Sequence, residues 1–399
     1  MAHSSTALHE PVPPSGPVAG RRPTAPVRRL AGHGTDRVTD LCTALFAGFR
    51  GYDQRIRARQ YMDGLLTAEG RKSIANIATS VGMPGDEQRL RHFVNSARWS
   101  VGPVRRALAG FLDGNSPIAA WVALPVSIPK TGSRTVGVAP HYSAEDGHRI
   151  VGQRAYGMWY ASERLVAPVS WRLALPGDSG PAPSTTRECV AGLLDDIRTW
   201  RGGSRLCVTD VRGDGEQEDA ARLLRGASPV AVRVSGHTLL AVDERRPGGR
   251  KERLVPVCDA LGAARRTRHM DGVPYAGHGG LPPVTAMAHV RLPGAHGAAV
   301  EGSPGRVRLF GMWRGTRRAP DEWWLTNARD ASPAALLRAT RLMREVGAGW
   351  RDRGRDVGLR DFEGRSLQGW HRHVTLASCA YAMAELASSE APGDASPAA

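Results

Sequence analysis

The chain has 399 residues, 41% of them hydrophobic, so it is long enough to bury one large core or two to three smaller ones. It has no run of 18 or more apolar residues and no charged start followed by an apolar core, which argues against a membrane protein and against secretion. The net charge of +16 favours a polyanionic partner, because basic side chains that neutralise phosphates release counterions.

Two explanations of this charge stay open. Arginine provides 51 of the 54 basic residues, because Lys72, Lys130 and Lys251 are the only lysines. Together with abundant Ala, Gly and Pro, this bias is typical of a very GC-rich genome, so codon usage alone could account for it. The five cysteines are scattered without a C-x-x-C pair, so we expect no zinc site, no disulfide framework and a cytoplasmic protein.

The N-terminal part is predicted to be a tail followed by helices. Residues 1–33 are rich in Pro, Ser, Ala, Gly and Arg and cannot bury enough apolar surface to fold, so we expect a disordered basic tail. From 36 to 114, apolar residues recur at spacings of three and four, as in Val38, Leu41 and Leu45, which predicts four or five helices.

A mixed sheet is predicted to begin after these helices. An apolar run from Trp121 to Leu124 is followed by Pro125, a basic turn and a β-branched run at 135–138. Prolines favour strand edges and starts, so we expect two short strands joined by the turn. Further strands are predicted up to residue 175.

A helix over 188–200 then leads into an apolar strand that ends in Asp210. A carboxylate at the carboxyl end of a strand in an α/β sheet is where metal and substrate sites form. The alternative is an aspartate that only caps a helix or stabilises a turn. Later strands are predicted at 230–234 and 323–327, separated by a Gly-, Pro- and Arg-rich region at 243–308.

Several segments resemble the bacterial insertion-sequence transposases of the DDE superfamily. These segments are Pro129-Lys130-x-Gly132, Gly64-Leu65-Leu66, Arg71-Lys72-Ser73-Ile74, Arg89-Leu90-Arg91-His92-Phe93, residues 358–366 and residues 369–376. The resemblance implies an α/β (α+β) fold, with an N-terminal helical domain at 34–116 and an RNase H-like mixed-sheet domain at 117–386. It also implies a β-rich insertion at about 243–308, and we expect a disordered tail at 387–399.

The family's three acidic metal ligands are mostly replaced in this chain. Leu124 and Pro125 stand where the first aspartate pair belongs, and counting back from the 358–376 match puts Gly347 at the third position. Asp210 matches the second position and is the only predicted catalytic and metal-binding residue. Two Mg²⁺ ions about 3.5–4 Å apart perform the family's phosphoryl transfer, and we expect Mg²⁺ here only if activity remains. Carboxylates that could substitute are Asp113, Glu145 and Asp146 for the first ligand, and Glu345 and Asp352 for the third.

The resemblance also implies DNA contacts. Candidate phosphate-binding residues are Arg71, Lys72, Arg89, Arg91, Lys130, Arg134, Arg365, His371 and His373. For the helical residues among them, the alternative is an ordinary solvated face.

We therefore expect a transposase-family protein of the nucleoid that binds double-stranded DNA, as a monomer or a homo-oligomer, and does not cleave it. The alternatives are an active metal-dependent transposase with substituted ligands and an inactive relic.

Overall fold

The computed structural model describes residues 35–143, 145–176, 185–200, 203–213, 215–246, 249–264, 284–293, 306–313 and 319–390. The predicted tail at 1–33 lies outside the described residues, and so does the part of the predicted 387–399 tail beyond Glu390. The described chain has the predicted order, with helices first and then a mixed sheet covered by helices.

Five helices precede the sheet. They are α1 (Thr35–Phe46), α2 (Tyr52–Thr67), α3 (Ile74–Ser80), α4 (Glu87–Asn95) and α5 (Val101–Asn115). Their apolar stripes face inward, and Leu41, Leu65 and Leu108 are completely buried. These helices agree with the periodicity of residues 36–114.

Six strands form the first part of the sheet. They are β1 (Ala120–Pro129), β2 (Val138–Ser143), β3 (His148–Ala161), β4 (Val166–Leu173), β5 (Cys207–Asp210) and β6 (Val230–Val234). β3 pairs antiparallel with β1, β2 and β4, whereas β5 pairs parallel with β1 and β6 pairs parallel with β5. The order β4-β3-β1-β5-β6 is that of an RNase H-like core, which confirms the predicted fold class.

Two strands joined by the basic turn are present, as predicted, but the structure corrects their bounds. β1 is one continuous strand, and Pro125 lies within it opposite Tyr156 of β3. β5 ends at Asp210, so beyond Leu124 no described strand pairs with that edge of β1. A proline is tolerated there because the edge makes no further ladder hydrogen bonds. The next strand starts at Val138 rather than at residue 135.

Two helices connect the parallel strands. α6 (Thr186–Arg198) joins β4 to β5, and α7 (Glu216–Arg225) joins β5 to β6. α6 begins with a capping box, in which the Thr185 side chain accepts from the Glu188 amide and the Glu188 carboxylate accepts from the Thr185 amide. The beginning of α6 and the end of β5 agree with the sequence-based prediction to within about two residues.

The β-rich region extends the same sheet. Its elements are β7 (Leu239–Arg246), β8 (Gly249–Pro256), α8 (Val257–Ala264), β9 (Val284–Arg291), β10 (Arg306–Trp313) and β11 (Glu322–Thr326). β11 pairs antiparallel with β6, and the sheet continues through β10, β9, β7 and β8. The described parts of the predicted insertion therefore extend the sheet laterally, to 11 strands within the described residues.

Three C-terminal helices complete the fold. They are α9 (Pro333–Arg351), α10 (Arg353–Asp356) and α11 (Leu367–Glu390). α9 packs across β1, β4 and β5, while α11 packs between β4 and the helices α2, α4 and α5. α11 extends four residues into the predicted C-terminal tail, and within the described residues none of the helices could span a membrane.

A buried polar cluster joins the N-terminal helices to the sheet. Arg105 on α5 is 3% exposed and donates to Thr375 Oγ1 at 2.9 Å and to Ser170 Oγ at 3.1 Å. Ser170 Oγ donates in turn to Asp196 Oδ2 at 2.8 Å, so the guanidinium reaches a carboxylate through one hydroxyl. The helical region and the sheet thus share one core, with α11 as the common wall.

Candidate functional site

Three residues form a row where the parallel strands end. The β1–β5 register pairs Ala123 with Thr209, and continuing it by one residue puts Leu124 beside Asp210. The β5–β6 register pairs Asp210 with Arg233. Directly opposed residues of neighbouring strands lie on the same face of a sheet, so an apolar side chain, a carboxylate and a guanidinium share this face.

The carboxylate of Asp210 is held by two arginines. Arg212 Nε lies 2.9 Å from Oδ1, and Arg212 Nη2 lies 2.6 Å from Oδ2, which is a bidentate pair. Arg233 Nη1 lies 3.6 Å from Oδ2. Hydrogen bonding to Asp210 raises the pKa of Arg212, whereas burial lowers the pKa of Arg233 against the opposing effect of Asp210.

Arg233 also reaches a second carboxylate. Its Nη2 lies 3.4 Å from Oε1 of Glu322 at the start of β11, and Glu322 is only 5% exposed. Arg344 Nη1 on α9 approaches the same oxygen at 3.8 Å. Trp324 Nε1 donates to Glu322 Oε2 at 3.0 Å. Three guanidinium groups and two carboxylates therefore form one chain of contacts, from Arg212 to Arg344.

The residue that the resemblance assigns to the third acidic position, Gly347, lies next to this chain of contacts. Gly347 follows Arg344 by three residues on α9, so the two residues occupy the same side of the helix. A Cβ atom at Gly347 would meet no heavy atom of the described residues within 4 Å. The backbone leaves room for a longer side chain here, but glycine supplies no ligand.

These residues do not fit the magnesium site that the resemblance implies. Leu124 has no ligand atom, Gly347 has no side chain, and the Asp210 carboxylate is already paired with two guanidinium groups. Among the described residues, no group of three or more His, Cys, Asp or Glu side chains is close enough to hold a metal ion. A hard cation such as Mg²⁺ needs several oxygen ligands that a guanidinium cannot replace.

None of the carboxylates proposed for the first position lies beside Asp210. Asp113 accepts a hydrogen bond from the Tyr160 hydroxyl at 2.8 Å, and Tyr160 pairs with Trp121, about 10 Å along β1 from Leu124. Glu145 and Asp146 lie in the turn before β3, which begins nine residues, or about 30 Å, from the cross-strand partner of Leu124.

The carboxylates proposed for the third position also point elsewhere. Glu345 pairs with Arg341 at 3.0 Å, and Arg341 pairs with Glu163 in the turn between β3 and β4. That turn lies beside Ala120 at the start of β1, four residues or about 13 Å along the strand from Leu124. Asp352 lies at the end of α9, about 140° round the helix axis from Gly347.

Four residues of this chain of contacts were not predicted from the sequence: Arg212, Arg233, Glu322 and Arg344. A usable signal was present in β6, where Arg233 interrupts the apolar run from Val230 to Val234 next to the strand that ends in Asp210. Arg344 gave no signal, because an arginine on the polar face of a helix is ordinary.

Four of the predicted DNA-binding residues, two histidines and two lysines, make hydrogen bonds within the fold instead of facing solvent. His373 is 1% exposed, and its ring bridges the Tyr61 hydroxyl and the Gly358 carbonyl, both at 2.8 Å. His371 receives a hydrogen bond from Arg105 at 3.2 Å. Burial lowers the pKa of His371 to about 3 and that of His373 to about 4, so both rings are neutral at pH 7.

The two predicted lysines are also occupied. Lys72 is 6% exposed, and its ammonium donates to the Ala68 carbonyl. The Lys130 ammonium donates to the carbonyls of Arg360 at 2.7 Å and Phe362 at 2.8 Å, and burial lowers its pKa to about 8. These contacts position the segment before α11, and they argue against a DNA contact by either lysine or either histidine.

The five predicted arginines are exposed, and four of them lie at or near one cleft of about 210 Å³. Arg91 lines this cleft, and Arg71, which is 54% exposed, pairs at 2.5 Å with Glu363 in its wall. Arg365 lies on the 361–366 segment. The Val136 amide donates a hydrogen bond to the Gly364 carbonyl of this segment, which places Arg134, two residues before Val136, nearby. Arg89 is 62% exposed and pairs with Asp86. We name Arg71, Arg91, Arg134 and Arg365 the arginine cleft.

The comparison with protein families identifies part of the chain. Residues 44–201 match the family described as DDE superfamily endonuclease, and no curated protein matches the chain. The match runs from α1 through α6, so it includes the helical region, β1 and the position of Leu124, and it stops before Asp210. Its description agrees with the RNase H-like strand order. The chain therefore contains a domain of the DDE endonuclease superfamily, of the transposase type.

Proposed function

We propose that this protein binds double-stranded DNA in the manner of a transposase without cleaving it. The observation that carries this proposal is the side-chain content of the three acidic positions, where Leu124 and Gly347 cannot ligate a metal and Asp210 is paired with two arginines. One encumbered carboxylate does not build a two-metal site.

The arginine cleft supports the DNA-binding part of the proposal. Lys130, which holds the neighbouring 360–362 segment, lies six residues beyond Leu124, or about 20 Å along β1. A DNA duplex is long enough to contact the arginine cleft and the Asp210 end of the sheet together. We propose that the helical domain at 34–116 and the 361–366 segment provide the contacts to the phosphates. Oligomerisation and a nucleoid location stay predictions.

A specific observation favours one form of the alternative, an active metal-dependent transposase. Arg233 contacts both Asp210 and Glu322, so the buried Glu322 is a second carboxylate close to Asp210. Metal binding between them would require both carboxylates to leave Arg233. Cleavage by that route would depend on Asp210 and Glu322 together.

One assay separates binding from cleavage. The purified protein is incubated with supercoiled DNA that it binds, in Mg²⁺, in Mn²⁺ and in EDTA, and nicking is followed on a gel. We expect retarded DNA in all three conditions and no metal-dependent nick. Nicking that Asp210→Asn abolishes would overturn the proposal, and its loss in Glu322→Gln as well would favour the substituted-ligand enzyme. Asp195→Asn is the matched control, because that carboxylate is 77% exposed on α6.

A further inference from the structure

We propose that the guanidinium groups of Arg212, Arg233 and Arg344 replace the two metal ions and hold one DNA phosphodiester at this end of the sheet without any metal. The inference rests on the proposed function, since it names the ligand of the degenerate site. We call these three residues the arginine triad.

Position is the first argument. The arginine triad converges on the two carboxylates at the carboxyl ends of β5 and β6, beside Leu124. In an open α/β sheet this edge is where ligands bind. Arg344 approaches the site from α9, one helical turn before Gly347. Cationic groups therefore reach this edge from both the sheet and the helix that packs across it.

Charge is the second argument. The three positive charges of the arginine triad exceed the negative charge of the two carboxylates that they contact. Glu216 on α7 adds a further carboxylate near Arg212. In a complete site of the family, two Mg²⁺ ions supply the positive charge. A phosphodiester would meet positive charge at either site, although here that charge belongs to side chains.

Hydrogen-bonding capacity is the third argument. Each guanidinium group has about five N–H donors, whereas a carboxylate has about four acceptor sites. Arg212 and Arg344 have side-chain exposures of 42% and 44%, so both side chains reach solvent. Arginine forks match the oxygens of a phosphate bidentately, which favours a phosphodiester over a carboxylate of similar charge.

The experiment measures affinity for a fluorescent 30-base-pair duplex over a series of salt concentrations, in EDTA and in Mg²⁺. Wild-type protein is compared with Arg212→Gln and Arg344→Gln. Arg338→Gln is the control, because Arg338 is also exposed on α9 but pairs with Glu163 at the other end of the sheet. Arg344→Lys tests whether charge alone suffices, and thermal unfolding in the absence of DNA verifies that each variant folds.

We expect equal wild-type affinity in EDTA and in Mg²⁺. Each glutamine variant of the triad should bind about tenfold more weakly at 0.1 M salt, with a salt slope flatter by about 1, because one phosphate contact is lost. Arg338→Gln should match the wild type, and Arg344→Lys should keep most of the slope.

The outcomes distinguish this inference from the proposed function. A wild-type protein that binds no DNA would overturn both. A wild-type protein that binds, with Arg212→Gln and Arg344→Gln indistinguishable from Arg338→Gln, would overturn only the arginine triad. Affinity that falls in EDTA would also overturn it, because the phosphate would then depend on a metal.

Discussion

Asp210 and Arg233 are cross-strand partners at the carboxyl ends of two parallel strands, with Arg233 Nη1 3.6 Å from Asp210 Oδ2. The pairing is set by the register of β5 and β6, so it does not depend on a flexible loop. The carboxylate that the resemblance assigns as the second acid is thus paired with a cation from its own sheet. Metal binding at Asp210 would have to overcome this ion pair.

Restoring the missing acids should restore metal binding. Leu124→Asp with Gly347→Glu would place three carboxylates at the family's positions, and Gly347 has space for the new side chain. Mn²⁺ should raise the melting temperature of this variant by a few degrees, because a ligand that binds only the folded state stabilises it.

Leu124→Asn with Gly347→Gln is the matched control for this variant, and we expect no Mn²⁺ effect on it or on the wild type. An equal shift in the wild type would mean that the native residues already bind the ion. A folded variant without a shift would mean either that the three positions do not converge or that Arg212 and Arg233 keep the Asp210 carboxylate.

Two glycines of α9 should respond in opposite ways to alanine. Gly347→Ala should stabilise the fold by up to about 1 kcal/mol, because the site is open and alanine favours a helix. At Gly349 a Cβ would lie 2.3 Å from Tyr381 Oη, so Gly349→Ala should destabilise the fold by about 1–3 kcal/mol. Urea unfolding of both variants tests this, and equal effects would contradict the packing of α9 against α11.

Lys130 and Arg134 should separate stability from DNA binding. Lys130→Met leaves the carbonyls of Arg360 and Phe362 without their charged donor, which should cost about 2 kcal/mol of stability. Arg134→Gln should change stability by less than about 0.5 kcal/mol and weaken DNA binding. Urea midpoints and salt-dependent affinity are the two measurements. A stable Lys130→Met protein with weakened DNA binding would reverse the assignments.

The fold should lose stability in mild acid. Burial lowers the pKa of His371 to about 3 and that of His373 to about 4, whereas each titrates near 6.5 when unfolded. Between pH 6.5 and pH 4 the unfolded chain binds more protons than the native one, so stability falls as the pH falls. At pH 5 the loss should be about 2 kcal/mol for each ring.

Urea unfolding at pH 7.5 and pH 5 measures this loss. His371→Asn should remove about half of the pH effect, because it removes one of the two titrating rings. The asparagine oxygen can still accept a hydrogen bond from Arg105, so the variant should fold. Stability that does not change between these pH values would show that the two rings are accessible to protons in the native state.

Local patterns were sufficient to predict the order of elements. Period-3.6 runs predicted four or five N-terminal helices, and the described residues contain five. Asp210 was correctly predicted to end a strand that precedes a turn and a helix. The sequence-based bounds were wrong at Pro125, because a proline within an apolar run indicates the end of a strand. It is tolerated inside β1 because the neighbouring strand β5 ends there, which the sequence does not show.

The side-chain chemistry of Leu124 and Gly347 follows from the sequence alone, because neither residue has a side-chain ligand atom in any conformation. The surroundings of Asp210 depend on the three-dimensional fold. Strand register and helix packing bring together side chains from four parts of the chain. They are Arg212 in the turn after β5, Arg233 on β6, Glu322 on β11 and Arg344 on α9. Helix packing also explains His371 and His373. Both residues are polar and would be expected at the surface, but they lie on α11, which is buried between the N-terminal helices and the sheet.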